Sequence, residues 1–150
     1  MDGDLVNDDL THGYHPHITL VVIDGEMEAG KLIPALSVAA RNGLTIPLRL
    51  HGLVTFPGPT TSICVAATTN KELTSLHHQL VTAVGPENVR DHYRPDRWVP
   101  HVTLTREICS WTQVGACMEL SLNWRIVDAE LSSIELIRFP PEVVLESREL

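Results

Sequence analysis

Two stretches decide how this chain reads: Pro16-His17-Ile18-Thr19-Leu20 and Pro100-His101-Val102-Thr103-Leu104. Side chains alternate along an extended strand, so His17 and Thr19 share one face while Ile18 and Leu20 share the other. His101 and Thr103 repeat that arrangement against Val102 and Leu104. Each copy presents an imidazole and a hydroxyl about 6–7 Å apart along the strand, over an apolar back suited to a core. One copy alone is a weak pattern. Its recurrence, at an offset of 84 residues from His17 to His101, is a strong one.

The stretches around the two motifs resemble each other as well. The first motif opens an apolar strand over 16–23. A helical spacing of Leu32, Ile33, Leu36, Ala39 and Ala40 follows, with Pro34 as its first-turn proline and Asn42-Gly43 as its stop. Leu48, Leu50, Val54 and Phe56 alternate with polar residues, and so do Ile63, Val65 and Ala67 beyond Pro57-Gly58-Pro59, which predicts a hairpin. Asn70 caps a predicted helix carrying Leu73, Leu76, Leu80, Val81 and Val84, closed by Gly85-Pro86; on it, His77-His78 read as surface residues. After the second motif strand, Ser110-Trp111-Thr112-Gln113 has the form of a capping box for a helix with Val114, Cys117, Met118 and Leu120. Strands are predicted near 124–127, over 131–139 and over 143–145.

Strand, helix and strand pair thus follow each motif. We read an α+β chain with a loose internal duplication: one domain of two lobes, about 13–86 and 87–150, with no Gly/Ser or charged linker between them. Motif strands set side by side about a pseudo-two-fold axis, with helices covering the far faces, would turn both histidine faces to a central cleft.

Composition narrows the classes. At 150 residues and 43% hydrophobic, the chain can bury a real core. Its apolar stretches are strand-length, so no membrane helix is expected, and the acidic start (Met1-Asp2-Gly3-Asp4) lacks the build of a signal peptide. Cys64, Cys109 and Cys117, odd in number and widely spaced, suit buried thiols in a reducing cytoplasm. A net charge of −8 argues against a broad surface for long nucleic acid. Arg90, Arg94, Arg97 and Arg106 nevertheless gather around the second motif, as a site for a small anion would require.

Two imidazoles facing one guest suit general acid–base chemistry, because a free imidazole titrates near 6.5 and one ring can be neutral while its partner is protonated. Two threonine hydroxyls can donate to non-bridging phosphate oxygens. A phosphodiester, with two ester and two non-bridging oxygens, matches that duplicated set, and imidazolium and arginine supply the positive charge. Thr19 and Thr103 are therefore candidate phosphate-binding residues beside His17 and His101. Tyr14 and Trp98 are candidates to stack on a base, and Arg97 and Arg106 to contact phosphate.

At these residues the chain resembles the two-histidine (2H) phosphoesterase superfamily, in its 2′-5′ RNA ligase-like branch. The resemblance rests on Tyr14-His15-Pro16-His17-Ile18-Thr19-Leu20, on Phe56-Pro57-Gly58, and on the run Tyr93-Arg94-Pro95-Asp96-Arg97-Trp98-Val99-Pro100-His101-Val102-Thr103-Leu104. Glu135-Leu136-Ile137-Arg138-Phe139-Pro140-Pro141 adds to it, and the likeness spans residues 13–145. It implies a pseudo-duplicated fold with ferredoxin-like antiparallel sheets. It also implies cleavage of 2′,3′-cyclic phosphates or 2′-5′ linkages in nucleotides or RNA ends, without metal or other cofactor, in some members reversing to ligation. His17 and His101 then map to the catalytic histidines, and Thr19 and Thr103 to the phosphate-binding hydroxyls. Members begin with a strand and helix ahead of the first motif histidine, whereas sixteen Asp-rich residues stand there here. A missing N-terminal strand would leave an edge that a second copy can cover, so a homodimer is the expected assembly.

Two other readings compete. A nucleotide- or phosphate-binding module would keep the pocket without turnover. A zinc protein would use His12, His15 and His17, although no cysteine or carboxylate stands at an obvious spacing to complete the set.

Overall fold

The computed structural model describes residues 15–40, 43, 45–56, 61–108 and 110–150. The expected hairpin forms from β1 (Ile46–Phe56) and β2 (Thr61–Ala67), antiparallel with Val54 opposite Cys64 and Leu53 opposite Val65. β3 (His101–Ile108), the second motif strand, adds antiparallel to β2, and β4 (Val127–Leu131) joins the other side of β1, giving the order β3-β2-β1-β4. β5 (Ser133–Arg138) and β6 (Val143–Glu149) make a separate antiparallel pair. The described helices are α1 (Ala29–Ala39), α2 (Lys71–Val84) and α3 (Trp111–Asn123). The class is α+β, as read from the sequence.

The described chain divides into two compact units that do not follow the halves 13–86 and 87–150. One takes the described part of Met1–Thr19 with Arg49–Thr68 and Val99–Asp128; the other takes Leu20–Leu48, Thr69–Trp98 and Ala129–Leu150. Apart from Leu20, both motifs therefore fall in the first unit. The reason is pairing: Ile18 bridges Val102, and β3 bonds to β2, whereas α1, which follows the first motif, packs on α2 and on the β5-β6 pair in the other unit.

The first motif is extended, but not as the continuous strand expected over 16–23. It makes isolated antiparallel bridges at Ile18 with Val102 and at Ile23 with Val89. α1 starts at Ala29, so Pro34 lies inside the helix, contrary to a first-turn placement. An interior proline removes one helical hydrogen bond and costs about 3 kcal/mol. Packing of α1 on α2 and on the β5-β6 pair, with Ala35, Leu36 and Ala39 buried, offsets that cost.

α2 is capped as expected. Asn70 accepts from the Leu73 amide at 2.8 Å while its own amide donates to the Pro47 carbonyl at 2.6 Å. At its far end Gly85 has φ +86°, a conformation side chains resist, and an added Cβ would meet Glu87 Oε1 at 2.5 Å. The expectation of a surface His77 is corrected. It lies one turn beyond Leu73 on the same stripe as Leu76, Leu80 and Val81, and it is buried, whereas His78 is exposed. Its ring stacks on Trp98 (centroids 3.9 Å apart, planes 9° apart), and Nε2 donates to the Tyr93 carbonyl at 2.9 Å. Burial holds its pKa below that of an ordinary histidine.

Protonation therefore favours the unfolded chain: this contribution to stability is intact above about pH 6.5 and is lost as pH falls from there toward the lower folded-state pKa. His77→Phe keeps a ring against Trp98 and removes the proton site. In thermal melts between about pH 7.5 and 5, the wild-type midpoint should fall more steeply than that of H77F. Parallel curves would show that this residue does not set the acid limit.

The Ser110 capping box opens α3, with the Ser110 hydroxyl accepting from the Gln113 amide at 3.2 Å and Gln113 Oε1 accepting from the Ser110 amide at 3.2 Å. Of its expected apolar face only Cys117 is buried; Val114, Met118 and Leu120 are exposed.

Candidate active site

The register of the two motifs builds the site. An antiparallel bridge that sets Ile18 opposite Val102 also sets His17 across from Thr103 and Thr19 across from His101. All four side chains then share one face, opposite to Ile18 and Val102. Residues directly opposite have Cβ atoms about 4.5–5.5 Å apart and diagonal ones about 7–8 Å. The two histidines stand on one diagonal and the two threonines on the other. All four are half-buried, reachable from solvent yet held by the sheet.

Both rings are anchored alike. His17 Nδ1 lies 2.9 Å from the His15 carbonyl, and His101 Nδ1 lies 2.7 Å from the Val99 carbonyl. A carbonyl oxygen only accepts, so Nδ1 carries the hydrogen in each ring and donates it to the residue two positions earlier. Nε2 is left as the working atom, a base when the ring is neutral and an acid when it is protonated. The prolines between anchor and histidine, Pro16 and Pro100, have fixed φ angles that favour an extended chain there.

Sequence reasoning missed two supporting residues. The Phe56 ring tilts against His101, with centroids 4.5 Å apart, and limits its rotation. The Cys64 thiol donates to Thr103 Oγ1 at 3.8 Å, which leaves the hydroxyl hydrogen of Thr103 for another acceptor. Alternation along β1 and β2 was visible in the sequence. The register that brings Cys64 opposite Thr103 was not.

The remaining candidates are placed differently. Trp98 belongs to the second unit, where one face of its ring is taken by His77. Arg97, in the same unit, ion-pairs with Asp91 and Asp96, while Arg90 pairs with Asp24 and holds that carboxyl below the usual range. The arginine cluster read as an anion site is thus largely matched by aspartates. Arg106 is exposed on β3. Tyr14 and His12 lie outside the described residues. Among the described residues no three His, Cys, Asp or Glu side chains are grouped to hold a metal ion, and no helix is long and apolar enough to cross a membrane.

No curated protein matches the chain. A solved structure named as a phosphoesterase shares its fold, with a TM-score of 0.51 and 17% sequence identity over 91% of this chain and 77% of that one. The family model of the 2′-5′ RNA ligase superfamily matches residues 5–140, a span that contains both His-x-Thr motifs. With that match over most of its length, the chain belongs to the 2′-5′ RNA ligase superfamily.

Proposed function

We propose that this protein is a phosphoesterase that hydrolyses 2′,3′-cyclic phosphates or 2′-5′ phosphodiester bonds in nucleotides or RNA ends, with His17 and His101 as its acid–base pair. The observation that carries this reading is the Ile18–Val102 register, which gathers two imidazoles and two hydroxyls on one face. Family membership and the shared fold of a phosphoesterase support it.

In the proposed reaction the neutral ring takes a proton from water through Nε2, and the water oxygen attacks phosphorus. The ester bond to the ribose oxygen breaks, and the protonated ring delivers its Nε2 hydrogen to that oxygen. Each ring ends in the other's starting state, so proton exchange with solvent resets the pair. Thr19 and Thr103 donate to the non-bridging oxygens, where charge accumulates in the transition state. Positive charge comes from imidazolium, so the step calls for no metal.

The test is a panel of 2′,3′-cyclic nucleotides and 2′-5′ dinucleotides assayed in excess chelator, with products identified by phosphorus NMR. Turnover with a bell-shaped pH dependence is expected, because one ring must be neutral and the other charged. Thr19→Val and Thr103→Val should each lower kcat/KM by about 10- to 100-fold, the loss of one charge-assisted hydrogen bond. Absence of turnover across the panel sinks the assignment for this substrate class.

A further inference from the structure

The outward face of α3 is apolar. At 3.6 residues per turn, Trp111, Gly115, Met118 and Leu122 fall within about 60° of one another around the helix, with Val114 on their flank. Buried Cys117 and half-buried Gln113 and Ala116 lie on the opposite side. Trp111 is 89% exposed, Leu122 84% and Met118 59%. Single exposed apolar residues are ordinary, but a contiguous patch of several hundred Å² marks an interaction site.

The occupant that matches this face is a second copy of the same helix. A two-fold axis perpendicular to α3, midway between Gly115 and Met118, runs the two helices antiparallel. Met118 of each copy then enters the space over Gly115 of the other, where an added Cβ would meet nothing within 4 Å. Trp111 lies four residues before Gly115 and Leu122 four residues after Met118, so the same axis sets each Trp111 against a Leu122. Large side chains meet at both ends, and at the middle a flexible one meets the smallest. Charge favours this face too. Copies with a net charge of −8 repel one another, yet Glu119 is the one charged residue of α3. It stands level with Val114 of the other copy, not with Glu119. The exposed parts of Trp111, Val114, Met118 and Leu122 come to about 500 Å² per copy, or about 1,000 Å² for the pair, the least that a specific interface needs.

We propose that this face of α3 is a self-association surface, pairing with a second copy of the chain as a two-fold antiparallel helix pair. Trp111 and Leu122 anchor its two ends, and Met118 in the recess over Gly115 fixes the register. An interface at the small end of the range makes a reversible dimer, with a dissociation constant on the order of 1–100 μM. A two-fold contact uses the same patch on both copies, so association stops at two.

The test is sedimentation equilibrium of the full chain from about 1 to 500 μM. Wild type should pass from monomer to dimer across that range and grow no further. Trp111→Lys and Met118→Lys should each raise the dissociation constant at least about tenfold. Gly115→Leu adds apolar surface and a better helix former, yet it fills the recess and should weaken the dimer as well. All three positions are exposed, so the variants should fold, which far-ultraviolet circular dichroism checks. A wild type that stays monomeric to the top of the range overturns the proposal, whether the face is open or covered by another part of the chain. So do a dimer that W111K and M118K leave intact, tighter association of G115L than of wild type, and growth into larger species.

Discussion

Replacing either His17 or His101 by alanine is expected to lower kcat/KM for a 2′,3′-cyclic nucleotide by about a hundred- to ten-thousand-fold, the range of a single general acid or base. The double variant should be little worse than either single one, because groups that act in one concerted step lose most of their value when one is missing. The loss should fall on kcat, since Thr19 and Thr103 still hold the phosphate. Both rings are half-buried and hydrogen-bond to a backbone carbonyl, with Phe56 against one of them, so their removal strands no buried polar partner and the fold should survive. Steady-state kinetics with a thermal melt for each variant decides the matter. If H17A or H101A keeps more than about a tenth of the wild-type rate, the pair is not the catalytic apparatus.

The largest stability effect is expected at Leu73. Its side chain is fully buried in the first turn of α2, and its amide donates to the capping Asn70. Leu73→Ala should cost about 2–5 kcal/mol, the lost transfer energy plus the cavity left where neighbours cannot close in. Chemical denaturation followed by circular dichroism reads this as a lower midpoint at an unchanged slope. Leu73 lies in the second unit and the four motif side chains in the first, so kcat per folded molecule should not change. A loss below about 1 kcal/mol would mean the site collapses around the smaller side chain. A fall in kcat beyond the unfolded fraction would mean the units are coupled more tightly than this assignment implies.

Much of this was legible in the residues because local rules governed it. Asn70 and Ser110 announce helix starts through side chains that bond to nearby amides, and both do so here. Alternation in β1 and β2 gives the hairpin, and the two His-x-Thr copies give the four residues that the fold brings together. Illegible parts depended on distant partners. Pro34 reads as a helix start, yet tertiary packing carries the helix through it. His77 reads as polar surface, yet Trp98 and the Tyr93 carbonyl complete a buried site for it. Arg97 reads as an anion ligand, and Asp91 takes it. On α3 the spacing of Val114, Met118 and Leu120 sets an apolar stripe but not its cover, and those side chains stay exposed.

The bridge between Ile18 and Val102 carries a stereochemical consequence. Rotation by half a turn about the midpoint of an antiparallel pair carries residue 17 onto 101 and residue 19 onto 103. In the proposed reaction, a tetrahedral phosphorus centred there would present its pro-R and pro-S oxygens to rotationally equivalent groups. Sulfur in place of either oxygen then meets a threonine of the same kind. What handedness the protein reads must come from groups outside that rotation, such as Cys64 behind one hydroxyl and Phe56 behind one ring.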